Sequence, residues 1–170
     1  MKLSKKMISI TLVFVLAFGV FLLTRNHSTE AVMEGEMMPV FQLKDVDENE
    51  FDSSQLKGKV VILDFWATWC PPCRMEIPHF QALHEKYEDK GLAVVGVSLD
   101  SEGAYVVKPF MENNKVTYTM LLAGQQIANK FGGIRAIPTT FVVDRSGKIV
   151  KKYVGYREQS VFENDIKELL

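Results

Sequence analysis

A mixed α/β domain is what the sequence predicts, and three observations predict it. Two short valine-rich runs, KVVILDF at 59–65 and LAVVGVSL at 92–99, are too brief and too β-branched for helices. A helical stretch at 72–90 separates them, so they read as parallel strands joined by a crossover helix. A later pair of extended runs, 139–143 and 149–154, flanks the turn sequence DRSG at 144–147 and reads as a hairpin. Parallel strands plus a hairpin require a mixed sheet with helices on both faces.

The elements follow in order along the chain. Residues 1–6 hold three lysines and are expected in the cytoplasm. Residues 7–24 (MISITLVFVLAFGVFLLT) carry no charge, and as a helix would span about 27 Å, near the thickness of a bilayer core. A cleaved signal peptide is the alternative, with Ala17-Phe18-Gly19 as a small-x-small site. The apolar run continues past that site to Leu23, which favours an uncleaved single-pass anchor with the rest of the chain exported. Residues 25–38 have no sustained period and read as a tether, leaving 39–170 as the domain.

Within 39–170, alternation at 40–43, a polar turn at 45–49 and a capped turn after Ser53 predict a β-hairpin leading into the central strand. The helix is expected over 72–90, interrupted at Pro78 and closed by Gly91. Residues 100–114 read as helical with weak points at Gly103 and Pro109, and 116–122 as a short extended piece. A helix at 125–131 and an amphipathic helix at 158–170 complete the pattern.

Charge excludes one function class. The four basic residues before Asn26 precede every acidic one, so residues 26–170 hold 16 basic against 21 acidic side chains. A mildly acidic domain without a basic stripe is not a nucleic-acid binder.

The two cysteines of the chain are more decisive. Both lie in Trp69-Cys70-Pro71-Pro72-Cys73, where the first valine-rich strand gives way to the helix. A bridge closing a two-residue loop constrains the unfolded chain little, so it serves better to be made and broken than to staple. Cys70 falls at the helix N-terminus, where free N–H groups and the helix dipole stabilise a thiolate, and it is the expected exposed nucleophile. Cys73, one turn on, is placed to attack back and release the substrate. Pro71 and Pro72 suit the first turn but remove two N–H donors, leaving that of Cys73 to meet the sulfur. A zinc site would need partners from His27, His79 and His84, none of which has ligand spacing.

Asp64 interrupts the buried strand, where a carboxylate is costly. A buried acid with a raised pKa can accept the proton Cys73 loses, while an Asp at an edge or on a backbone donor is the bland alternative. Glu76, three residues after Cys73, shares that traffic or decorates a solvated face. Ile137-Pro138 precedes an extended run, so the proline marks a turn or strand entry.

FWATWCPPC at 65–73, Pro78 five residues on, and IPTTFVVD at 137–144 resemble the thioredoxin superfamily. More closely, residues 39–170 resemble the TlpA/ResA-like membrane-anchored thiol–disulfide oxidoreductases. The supporting residues are Pro39, Phe41, Leu43 and Asp45 of the opening, LKGK at 56–59, Glu76 with Pro78, and GIRAIPTTFVVDRSGKIV at 133–150. The resemblance implies a thioredoxin fold with an N-terminal hairpin and a central insertion. It implies a cis Pro138 against the disulfide and no cofactor beyond the redox-active Cys70–Cys73 pair. Catalysis would fall to Cys70, Cys73, Asp64 and Glu76, and substrate contact to Trp69, Pro72, Ile137 and Pro138, with the Ile137 backbone pairing with a substrate strand. This chain departs by carrying both acids, where many relatives hold an Asn in place of Asp64, and by having Pro71.

Relatives of this kind draw electrons from an integral-membrane thiol carrier and reduce protein disulfides, notably the haem-attachment cysteines of apocytochrome c. An extracytoplasmic dithiol reductant is therefore the expected function. A dithiol oxidase is the alternative with the same motif. A copper-delivery module, from another class, needs a C-x₃-C and a later His, and no His follows His84. A peroxiredoxin is disfavoured because Ala67 stands where its Thr would be.

Overall fold

The computed structural model describes residues 34–123 and 125–170. The predicted basic segment, membrane span and first nine tether residues lie outside the described residues, among which no helix is long and apolar enough to cross a membrane.

Among the described residues, seven strands form one sheet in the order β2-β1-β5-β4-β3-β6-β7. β1 (Gln42–Asp45) and β2 (Glu50–Asp52) make the expected hairpin, followed by a 3₁₀ turn at Ser53–Leu56. β3 (Val60–Trp66) lies at the centre, buried at every position. It pairs in parallel with β4 (Leu92–Ser98) and antiparallel with β6 (Thr139–Val143), which pairs with β7 (Ile149–Val154). β5 (Thr119–Leu122) runs parallel to β4 and joins the hairpin through β1. This is the mixed sheet the sequence predicts.

The helices are α1 (Pro71–Tyr87), α2 (Ala104–Asn114), α3 (Gln125–Lys130) and α4 (Gln159–Leu169). Side chains of β3 alternate between two cores, as strand geometry demands. Val60, Ile62 and Trp66 meet Ile77, Phe80 and Leu83 of α1 and Phe162 and Ile166 of α4. Val61, Leu63 and Phe65 meet Phe41, Phe131 and Phe141 on the other side. There Phe65 and Phe131 sit with ring centroids 5.1 Å apart, and Phe131 and Phe141 5.2 Å apart.

Three expectations are adjusted. Pro78 does not interrupt α1: the carbonyl it leaves without a donor is that of Arg74, and both residues are exposed, so water can serve it. α1 instead ends at Tyr87, and a 3₁₀ turn carries the chain to Gly91, whose φ of 103° only glycine adopts cheaply. The inserted helix α2 begins at Ala104 rather than at 100, because the Asp100 carboxylate bonds Thr68 and Ser98 and holds the preceding residues in a turn.

Candidate active site

The site stands where β3 stops and α1 begins. Cys70 is the N-cap residue of α1, with Pro71 and Pro72 in the first turn. Cys70 and Cys73 are joined by a disulfide with their Cα atoms 5.3 Å apart. The Cys73 N–H donates to Cys70 Sγ at 3.3 Å, the local bond the two prolines leave available.

Cys70 is 4% exposed and Cys73 is fully buried, which corrects the expectation of an open nucleophile. The cause is the loop before β6: the Ile137 carbonyl oxygen lies 3.7 Å from Cys70 Sγ, and the Ile137–Pro138 peptide bond is cis. Trp69, by contrast, is 66% exposed beside this covered sulfur. The loop is itself fastened, by Thr139 Oγ1 donating to the Ala136 carbonyl at 2.7 Å and by the Gly155 N–H donating to the Pro138 carbonyl at 2.8 Å.

Asp64 points from β3 toward α1, on the face shared by Ile62, Trp66 and the two cysteines. It is 2% exposed, and its Oδ1 accepts from Thr140 Oγ1 at 3.0 Å across the β3–β6 pairing. Its Oδ2 is buried with no hydrogen-bond partner among the described residues. Burial, and then the neighbouring Glu76, push the carboxyl well above the usual range, while the Thr140 bond opposes them.

Glu76 does not decorate a solvated face. It is completely buried in the inward stripe of α1, between Cys73 and Ile77. Its Oε1 accepts from the backbone N–H of Arg157 at 2.5 Å, and its Oε2 has no partner among the described residues. Burial pushes its pKa up to about 7, against the pull of the Arg157 N–H and guanidinium. The structure thus brings Cys70, Cys73, Asp64, Glu76, Ile137 and Pro138 to one end of the sheet. Pro72 lies half-buried in the turn between the cysteines.

Several contributors carry no sequence motif. Asp100 accepts from the Thr68 N–H at 3.0 Å, from Thr68 Oγ1 at 2.6 Å and from Ser98 Oγ at 2.8 Å, tying the end of β4 to the segment that leads into Cys70. Gly96 pairs with Asp64 across the sheet. A Cβ on Gly96 would collide with Met120 Sδ and come within 3.2 Å of Trp66 Nε1, which donates to that sulfur at 2.9 Å. Arg157 acts through its backbone, which leaves no mark in the sequence. Thr140 had a signal: on an adjacent antiparallel strand, it is the residue opposite Asp64.

A match to the AhpC/TSA family extends over residues 35–152. The chain belongs to the AhpC/TSA family. Within it, the relatives are redox proteins. Thiol-disulfide oxidoreductase ResA of Bacillus thuringiensis (strain Al Hakam) is 31% identical over 141 residues, covering 82% of this chain and 80% of the relative. ResA of Bacillus subtilis (strain 168) is 32% identical over 136 residues, covering 79% and 75%. Among solved structures, a thiol:disulfide interchange protein of the thioredoxin family from Chlorobium tepidum TLS superposes with a TM-score of 0.73 at 34% identity, covering 81% of this chain and 97% of that one. The resemblance read from the sequence is therefore borne out. This AhpC/TSA member is a thiol–disulfide oxidoreductase of the ResA kind on a thioredoxin-like fold, with Cys70 and Cys73 as its Cys-x-x-Cys pair.

Proposed function

We propose that this oxidoreductase works as an extracytoplasmic reductant of protein disulfides, with the haem-attachment cysteines of apocytochrome c as its substrate class. One observation carries the direction of electron flow. A strong dithiol oxidant is one whose reduced form is stabilised. Here Pro71 and Pro72 withhold two N–H groups from Cys70 Sγ, among the described residues only the Cys73 N–H is bonded to it, and two buried acids lie behind the pair. A thiolate so weakly supported gives electrons away readily.

In the forward reaction the Cys70 thiolate attacks a substrate sulfur, and the substrate S–S bond breaks to give a mixed disulfide and a thiolate that takes a proton from water. The Ile137 backbone pairs with the substrate strand across the covered sulfur, and Trp69 and the Pro72 turn border it. Cys73 then loses its proton to the acids behind it and attacks Cys70 Sγ. The second substrate thiol leaves, and the Cys70–Cys73 disulfide is regenerated. An integral-membrane thiol carrier would reduce it again, with residues 7–24 holding the domain at the outer face of the membrane.

The test is the reduction potential of the Cys70–Cys73 couple, measured by equilibration with glutathione or dithiothreitol. A value below about −230 mV supports the reductant and makes reduction of an apocytochrome c disulfide the next assay. A value above about −150 mV overturns it in favour of disulfide formation.

A further inference from the structure

Cys70 and the loop that covers it are fastened on opposite sides of β3. The loop hangs on β6 and β7, through Thr139 Oγ1 on the Ala136 carbonyl and the Gly155 N–H on the Pro138 carbonyl. The segment that carries the sulfur is fastened to the exit of β4 instead. The β3–β4 ladder closes with Trp66 opposite Ser98 and the Leu99 N–H on the Trp66 carbonyl at 2.9 Å. Beyond it, in place of a further ladder carbonyl, comes the Asp100 carboxylate. Its Oδ2 accepts the Thr68 N–H at 3.0 Å, and its Oδ1 accepts Thr68 Oγ1 at 2.6 Å. Bonds to a charged acceptor are roughly twice as strong as neutral ones. The Cys70 N–H donates to the Ala67 carbonyl at 3.1 Å, so residues 67–70 are one turn with Thr68 as its second residue. Held by backbone and side chain at once, Thr68 cannot shift without carrying Cys70 with it. Asp100 is itself braced: it is 5% exposed, its N–H and Oδ2 both meet Ser98 Oγ, and its carbonyl accepts the Gly103 N–H in the turn that opens α2. Trp66 and Ala67 before the turn, and Cys73 and Ile77 after it, are already held by the core. What the clasp adds is the place of the segment between them.

We propose that Asp100 and Thr68 are positioning residues for thiol–disulfide exchange. Their clasp fixes Cys70 Sγ against the Ile137 carbonyl oxygen, 3.7 Å away, so that a substrate strand paired at Ile137 presents its disulfide in line with the sulfur. The inference rests on the strand pairing at Ile137 given above, but not on the direction of electron flow. Neither residue touches the reacting atoms; both act through where Cys70 stands. A small disulfide, which makes no strand pairing, meets the sulfur wherever it is and does not sense this register.

Single-turnover mixing of the reduced full chain, in micelles, with insulin and with hydroxyethyl disulfide tests this. Measured against free glutathione, the native protein's rate advantage should be far larger for insulin than for the small disulfide. Equal advantages would overturn the pairing at Ile137 and the clasp that serves it. Thr68→Val removes the hydroxyl at nearly constant shape; it should lower the insulin rate about tenfold or more and leave the small-disulfide rate within about twofold. The pH profile of Cys70 alkylation in this variant should match that of the native protein. Thr68→Ser keeps the hydroxyl and should restore the insulin rate. Asp100→Asn, which offers one oxygen where the aspartate offers two, should repeat the selective loss. A native insulin rate in either Thr68→Val or Asp100→Asn, or an equal fall with both disulfides, would overturn the clasp alone and leave the pairing at Ile137 standing.

Discussion

The two faces of β3 are built from one strand and serve opposite ends. On one side Val61, Leu63 and Phe65 pack among Phe41, Phe131 and Phe141 in a core without an ionisable side chain among its buried members. On the other, the alternation Val60, Ile62, Trp66 is broken by Asp64, and the facing stripe of α1 is broken by Glu76 beside Cys73. The first face secures the strand; the second sacrifices some stability to set protons beside a disulfide. Proteins keep groups of the second kind only where the surrounding frame is strong enough to hold them.

The largest expected effect lies on the chemical face. Cys70→Ser should bring disulfide exchange down to background while the fold, which a two-residue bridge barely supports, survives. Retained turnover in an insulin-reduction assay would show that the site lies elsewhere. On the aromatic face the order reverses. Phe65→Ala removes a fully buried ring and should cost about 3–5 kcal/mol in denaturant unfolding, leaving the reduction potential of the folded protein unchanged. A large shift in potential would mean that the two faces are not separable. Gly96→Ala should cost about 1–3 kcal/mol, since its Cβ meets Met120 Sδ and the Trp66 indole rather than open space.

Glu76→Gln sharpens the comparison through pH. Glu76 ionises at about 7 in the folded protein and near 4.5 in the unfolded chain. Between those values the folded state holds a proton that the unfolded state has released, so stability falls as pH rises from about 4.5 to 7 and is level above. A glutamine cannot ionise, and its oxygen still accepts from the Arg157 N–H. The variant should match the native protein near pH 4 and exceed it by roughly 1–3 kcal/mol at pH 8. An equal effect at both pH values would mean that the glutamate contributes by packing alone.

How much of this was legible in the sequence follows from the range over which each signal acts. β6 and β7 fall on their expected residues, 139–143 and 149–154, because local alternation and a turn sequence fix a hairpin. Asp64 announced itself as the one charge in a buried run. Glu76 was open to either reading, although the spacing Cys73, Glu76, Ile77, Phe80, Leu83, Tyr87 places it inside the buried stripe of α1. The approach of Ile137–Pro138 to Cys70 from 67 residues away came from the family resemblance, but its consequence, a covered sulfur, was not legible in any local pattern. Nor was the bracing of Thr68 by Asp100, 32 residues distant, or the bond from the backbone of Arg157. Contacts of that kind belong to the topology, not to any local pattern.

Trp69 gives the smallest expected effect in stability and the best discrimination between frame and site. It sits next to the nucleophile, yet it is 66% exposed and outside both cores. A side chain so placed contributes little to the fold, and Trp69→Ala should change unfolding free energy by no more than about 0.5 kcal/mol. If the indole borders the bound substrate, its loss should raise KM several-fold for a protein disulfide while leaving kcat and the pH profile unchanged, the signature of binding shared by ground and transition states. A small dithiol such as dithiothreitol, which makes no contact beyond the sulfurs, should react with the variant as with the native protein. Were the rate with dithiothreitol to fall as well, Trp69 would be acting on the Cys70–Cys73 couple itself, and the boundary between frame and chemistry would have to include the residue before the nucleophile.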